Sequence, residues 1–230
     1  MSAAGHNLAE EKPRAAGSPL KRALRAGLEN PLLRGLVFWR GRPRAGVVAL
    51  TFDDGPHSVH TPGVLDLLRQ HGARATFFAI GEAARAHPEL LRRIAAEGHA
   101  VASHTNSHAD LSRLGFSAAW KECAEARTTL ERLSGQRVRF LRPPWGKMRA
   151  STFLVALCQR VTLALWSFDS LDSRRLSADE LAARVAESDL RPGEVLLFHD
   201  DGANTVEALE RILTCLKERG LRCVTLDEVA

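Results

Sequence analysis

Two adjacent carboxylates, Asp53 and Asp54, close an apolar run that begins at Val47, and Gly55-Pro56 turns the chain directly behind them. A buried strand that delivers acid groups to the mouth of a fold has this pattern. Consecutive strand residues face opposite ways, so the two carboxylates should take different tasks, sharing a pocket only where the turn breaks the pleat. Farther on, His104 and His108 stand four residues apart in the polar stretch 103–108. On a helical turn that spacing puts both imidazoles on one side, where they can share a metal ion. With a carboxylate from another strand end they complete a two-histidine, one-carboxylate set that leaves positions open for water and substrate. This is the catalytic rather than the structural arrangement of zinc. The donors suit Zn2+ and are compatible with Co2+, Ni2+ or Fe2+.

Three further positions carry chemistry. Arg142 stands where an apolar segment hands over to Pro143-Pro144, and a guanidinium held there can fix a carboxylate in one orientation. His199 ends the apolar run Leu196-Leu197-Phe198, with Asp200 and Asp201 behind it. Asp169 and Asp172 follow Trp166, and a carboxylate such as Asp169 beside His199 would stabilise the imidazolium and make it a general acid.

These positions share a location: each follows a short apolar segment. Candidate strands begin near 47, 75, 99, 138, 161, 194 and 221. Helical patterns fall between them at 61–70, 88–97, 117–133, 151–158, 178–188 and 206–219. The first is expected to start with Thr61 as its cap and Pro62 in its first turn. Strand–helix alternation over some 180 residues predicts α/β architecture: a distorted, incomplete (β/α) barrel of about seven strands. A doubly wound open sheet is the alternative. A barrel places chemistry at the ends of its strands, where the polar residues above fall.

Of 230 residues, 45% are hydrophobic, ample for a full core, and no run approaches the roughly 20 apolar residues of a membrane-spanning helix. The net charge of +5 is unevenly placed. Residues 1–46 carry +6 and residues 47–230 carry −1, so a basic arm precedes a nearly neutral body. A body of that charge argues against nucleic-acid binding. Within the arm, residues 1–19 lack periodicity and read as disordered, whereas Leu20, Leu24 and Leu28, followed by Leu32, Leu33, Leu36 and Val37, form an amphipathic helical pattern. That helix is expected to pack on the body, with peripheral contact to an anionic membrane as the sharper alternative. Residues 40–46 read as a basic linker. The four cysteines show no Cys-x-x-Cys spacing and read as thiols of a reducing compartment. The first thirty residues contain no apolar block of the signal-peptide kind, so the expected location is cytoplasmic or at the inner face of the membrane.

Five segments in order, Thr51-Phe52-Asp53-Asp54-Gly55, His104-Thr-x-x-His108, Arg142-Pro-Pro-Trp-Gly146, Asp169-x-x-Asp172 and Leu197-Phe-His199, resemble the motifs of the polysaccharide deacetylases. These are the NodB-homology domains of carbohydrate esterase family 4. The resemblance runs from about residue 47 to 226 and carries the expectation of a distorted (β/α) barrel in residues 47–230. It implies a metal-dependent hydrolase that removes an N-acetyl, or a formyl, group from an amino sugar. Asp54, His104 and His108 would bind the metal; Asp53 would be the general base and Arg142 would orient it. Asp169 would orient His199, the general acid. Thr105 would brace the histidine loop, Leu197 would line the acetyl pocket, and a backbone N–H at Trp145 would face the oxyanion. One departure stands out: Ser173 replaces the tryptophan that walls the sugar groove in the family, which implies a wider or more polar groove. The rival reading is a catalytically inactive carbohydrate-binding protein that keeps the fold.

Overall fold

The computed structural model describes residues 35–42, 46–174 and 176–230. The basic arm up to Arg34, with Leu20, Leu24, Leu28, Leu32 and Leu33 of its helical pattern, therefore lies outside the described residues. Among the described residues nine strands form one sheet, and every pairing is parallel. In chain order the elements are β1 (Val37–Phe38), β2 (Val47–Asp53), α1 (Thr61–Gln70), β3 (Thr76–Ala79), α2 (Gly81–Ala86), α3 (Pro88–Ala96), β4 (Ala100–Ser103) and α4 (Phe116–Ser134). Then follow β5 (Phe140–Leu141), α5 (Ala150–Gln159), β6 (Thr162–Ala164), β7 (Phe168–Asp169), α6 (Ala178–Ala186), β8 (Val195–His199), α7 (Ala203–Glu218) and β9 (Arg222–Val224). The strand order is β1-β6-β5-β4-β3-β2-β8-β7, with β9 on the first half of β2. The result is the expected incomplete barrel, curled but left open between β1 and β7.

All seven expected strands are present, and two short ones were not foreseen. Val37, read as the last position of the helical pattern, and Phe38 pair with Leu163 and Ala164. The expected linker that follows is docked: the Gly41 N–H donates to the Gly193 carbonyl at 2.8 Å, and Arg40 pairs with Glu194. Residues 37–38 and 41 thus make backbone contacts to the same sheet and its loops. A two-residue strand has too few residues to show an alternating pattern, so its pairing comes from the sheet edge that receives it.

Alternation along β2 divides two cores. Val48, Leu50 and Phe52 join a layer between sheet and helices that includes Leu65, Leu68, Phe77, Leu196, Phe198 and Ile212. Val47 and Ala49 face the barrel interior with Phe78, Ala102, Phe140, Ala164 and Val195. Strand period places Thr51 and Asp53 on that interior side as well. The interior is apolar at its floor and turns polar at the strand ends, which raises the energetic stakes of every carboxylate there.

Candidate active site

Asp53 is the last residue of β2 and is buried. Its partners come from three strands. Cross-strand register sets Asp53 opposite His199 and Thr51 opposite Leu197, so these four side chains share one face. Arg142, fully buried at the end of β5, supplies the charge partner: Nη1 donates to Asp53 Oδ1 at 2.6 Å and to Thr51 Oγ1 at 2.9 Å. Its other N–H groups donate to the carbonyls of Ala164 and Leu165, and its Cζ lies 3.9 Å from the centroid of the Phe78 ring. The guanidinium is held on every side and cannot swing away. Burial pushes the Asp53 carboxyl above its ordinary value, against the pull of Arg142 and His199.

A regular strand would point Asp54 away from Asp53. Asp54 instead adopts a left-handed backbone with φ 77°, which breaks the pleat and brings its carboxylate round to the histidines. Asp54 Oδ1 lies 3.4 Å from His104 Nε2 and 3.2 Å from His108 Nε2. The histidines do not ride on a helical turn, as their spacing suggested; residues 104–108 form a loop. Left-handed residues Thr105 (φ 69°) and His108 (φ 58°) fold that loop, and the ring centroids come within 5.0 Å. Thr105 braces it, with the Ala109 N–H donating to Thr105 Oγ1 at 3.2 Å. Four of the six non-glycine residues with positive φ among the described residues (Asp54, Thr105, His108 and Trp145) belong to this site. Each such conformation costs on the order of 1–3 kcal/mol, which the surrounding fold must offset.

The donor set fits a divalent cation. His104 Nδ1 donates to the Arg142 carbonyl at 2.8 Å, so Nε2 presents a lone pair. Burial lowers the His104 pKa to about 3, keeping the imidazole neutral. Asp54 Oδ1 is buried and has no hydrogen-bond partner. Acceptors facing each other without a proton between them are satisfied by a cation.

A model of the polysaccharide deacetylases matches residues 40–162, just over half of the chain. The chain belongs to the polysaccharide deacetylase family. It is 38% identical over 183 residues to a peptidoglycan-N-acetylglucosamine deacetylase of Bacillus cereus, covering 78% of this chain and 66% of that one. To a chitooligosaccharide deacetylase of Sinorhizobium fredii it is 36% identical over 206 residues, covering 82% of this chain and 95% of the relative. Among solved structures it is similar to a family 4 carbohydrate esterase pseudoenzyme from Bacillus anthracis. The TM-score is 0.79 at 26% identity, covering 85% of this chain and 69% of that one.

Within this deacetylase fold, the partner of His199 corrects the sequence-based expectation. Asp172, not Asp169, holds the imidazole: Oδ1 lies 2.7 Å from His199 Nδ1, and Oδ2 accepts the His199 backbone N–H at 2.7 Å. Asp169 sits in β7 level with Leu197, two residues short of His199. Its Oδ1 accepts from the Leu171 N–H at 3.0 Å, and its carbonyl accepts from Arg184. Asp169 thus shapes the loop that lifts Asp172 to the strand end. Burial alone would lower the His199 pKa, but the hydrogen bond and charge of Asp172 outweigh it and raise it to about 9. Asp172 is itself lowered, since His199 and the Thr205 hydroxyl overcome its burial.

Sequence reasoning also missed Thr51, whose hydroxyl accepts from Arg142 and donates to the Leu196 carbonyl at 2.7 Å. Its position two residues before Asp53 was the available signal, since strand period puts both on one face. At the rim, Trp145 is 58% exposed with φ 55°, packed edge-on against His108 at 4.5 Å between ring centroids. Leu197 is buried beneath His199. Ser173 is exposed.

Proposed function

We propose that this chain hydrolyses the N-acetyl group from an amino sugar of a glycan. Asp54, His104 and His108 hold a divalent metal, Zn2+ in this reading. The observation that carries the proposal is the meeting of three units at one set of strand ends: the Asp54–His104–His108 cluster, the Asp53–Arg142 pair and the His199–Asp172 pair. An amide hydrolase needs an electrophile, a base and an acid, and these units supply them in that order.

When bound, the metal would polarise the amide carbonyl and acidify the attacking water. The protein's own groups do the rest. Arg142 occupies Asp53 Oδ1, which leaves Oδ2 to take the proton of the water as it attacks. His199 is kept protonated by Asp172 through Nδ1, so its Nε2 proton goes to the amine as the C–N bond breaks. The left-handed backbone at Trp145 offers an N–H to the carbonyl oxygen as negative charge grows on it. Leu197, apolar and buried below His199, receives the acetyl methyl or, with space to spare, a formyl hydrogen. With Ser173 exposed where the family has a tryptophan wall, the groove is open on that side and suits an extended or branched glycan. The relatives named for peptidoglycan and chitooligosaccharide set the first substrates to try.

Asp53→Asn tests the reading. Acetate release from acetylated chitooligosaccharides should fall at least ~100-fold, the usual contribution of a general base, with metal content unchanged. Undiminished release would sink the assignment.

The similarity to a pseudoenzyme favours a second reading, a glycan-binding protein that keeps the fold. A module that only binds has no need of a base, an acid and a metal set together. Glycan binding without metal-dependent acetate release would decide for it.

The described helices include none long and apolar enough to cross a membrane. We also propose that the basic arm meets anionic lipid at the cytoplasmic face, supported by the net +3 charge of residues 1–34. Liposome co-sedimentation of the full chain against one starting at Gly35 tests it, since Val37 and Phe38 belong to the sheet. Equal pelleting of the two would end the idea.

A further inference from the structure

Asp200 follows His199 and takes no part in the chemistry above, yet it is fully buried beneath the turn that carries Asp54. Its backbone N–H donates to the Asp53 carbonyl at 3.3 Å. Its Oδ2 accepts from Thr61 Oγ1 at 2.5 Å, and that hydroxyl in turn accepts the His57 N–H at 2.7 Å. Thr61 was expected to cap α1; the cap position is His60, with no side-chain cap, and the Thr61 hydroxyl is committed to Asp200 instead. The carboxyl also lies flat against Gly55. A Cβ on Gly55 would fall 2.2 Å from Oδ2 and 2.3 Å from Oδ1, so only glycine permits the contact.

The turn from Asp54 to His57 is therefore gripped at two points by one side chain and its relay, at Gly55 by direct contact and at His57 through Thr61. The grip extends to the histidine loop. The Gly55 carbonyl accepts the Ile80 N–H at 3.0 Å, and the next residue, Gly81, donates to the Thr105 carbonyl at 3.0 Å. Asp200 Oδ1 has no hydrogen-bond partner. Burial pushes the carboxyl up to about 7, so the group is held at a cost. Stability alone would be served as well by an apolar side chain of similar shape. A carboxyl is explained if its oxygens hold Thr61 and the Gly55 backbone in one geometry.

We propose that Asp200 is a positioning residue for the metal site, fixing the residue 54–57 turn and through it the direction of the Asp54 carboxylate. The inference rests on the reading of Asp54, His104 and His108 as the metal set.

The test uses the full chain loaded with Co2+, whose visible absorption reports ligand geometry. Asp200→Ala should weaken Co2+ binding about 10- to 100-fold and alter the absorption bands, the usual range for groups that orient metal ligands. In the Zn2+ form, kcat should fall with KM changed less than about two-fold, because the substrate groove is untouched. Asp200→Asn keeps an oxygen for Thr61 and the same outline, and should restore affinity and spectrum to within about three-fold of wild type. Should Asp200→Ala fail to fold, Thr61→Val removes the relay hydroxyl while leaving the carboxyl, and should shift affinity and spectrum in the same direction. Wild-type Co2+ affinity and spectrum in Asp200→Ala, or in Thr61→Val if the former does not fold, would overturn the inference whatever happens to the melting temperature. Failure of the wild-type chain itself to bind Co2+ would instead overturn the metal reading, and this inference with it.

Discussion

Asp172 holds His199 twice, with Oδ1 2.7 Å from Nδ1 and Oδ2 2.7 Å from the backbone N–H. One contact fixes the protonation of the ring and the other fixes the strand end that carries it. A single carboxylate thus sets both the charge and the position of the imidazole. The Thr205 hydroxyl, donating to Oδ2 at 2.8 Å, keeps the carboxylate from rotating.

The first prediction separates Asp172 from Asp169. Asp172→Asn should lower kcat about 10²- to 10⁴-fold at neutral pH, the loss of a working general acid. Asp169→Asn should stay within a few-fold of wild type, since its amide oxygen can still accept the Leu171 N–H. The rate should be bell-shaped in pH: ionised Asp53 is needed on the acid side and protonated His199 on the alkaline side. The alkaline limb, near 9 in wild type, should move to lower pH in Asp172→Asn. Acetate release across pH 5–10 checks all three.

The same pair makes stability depend on pH in the metal-free protein. The folded pKa of His199, about 9, is raised above the ordinary 6.5. Its contribution should be complete below about pH 6.5 and fade as pH rises through about 9. Urea midpoints measured between pH 6 and 10 should fall over that window in wild type and fall less in Asp172→Asn. A flat wild-type profile would contradict the pairing.

Removing Arg142 should cost far more than removing an exposed arginine. Arg142→Met strands the buried Asp53 carboxylate without its partner, and breaking a buried pair in this way costs about 3–5 kcal/mol. The carboxyl of Asp53, already raised, should rise further and carry the acid limb of the rate profile upward. Denaturant unfolding and the pH profile read the two effects separately. By comparison, Arg191→Met at an exposed pair should leave the denaturant midpoint close to that of wild type.

Leu197→Ala should open space beneath His199. The buried truncation should cost about 2–5 kcal/mol of stability, depending on how far the barrel floor collapses. Selectivity is the sharper readout: the kcat/KM ratio of propionyl to acetyl substrates should rise, because one extra methylene fits the enlarged pocket. An unchanged ratio with lowered stability would remove Leu197 from the acyl pocket and leave it a core residue.

Much was legible in the sequence because its signals are local. Alternating apolar segments produced the seven expected strands, and the six expected helices lie between them as read. The chemistry-bearing residues were visible because each follows an apolar run, and the Asp54, His104 and His108 set assembles as expected. The choice between partners was not local. Asp169, at the end of β7, and Asp172, in the turn behind it, differ by three positions, and only the register of β7 against β8 shows which of them reaches His199. The two-residue strands β1 and β7 have no pattern of their own and exist because neighbouring strands offer them unpaired backbone. Asp54 would face away from the site by strand period, and a left-handed backbone turns it inward. What keeps that conformation in place is tertiary: Gly55 lies against Asp200, a residue 145 positions farther along the chain that the parallel pairing of β2 and β8 brings beneath it. Residue types and spacing settled which groups could do the chemistry, since composition and periodicity act within a few residues. Which group serves which was decided by strand register and burial, since hydrogen bonds and charges act through space rather than along the chain.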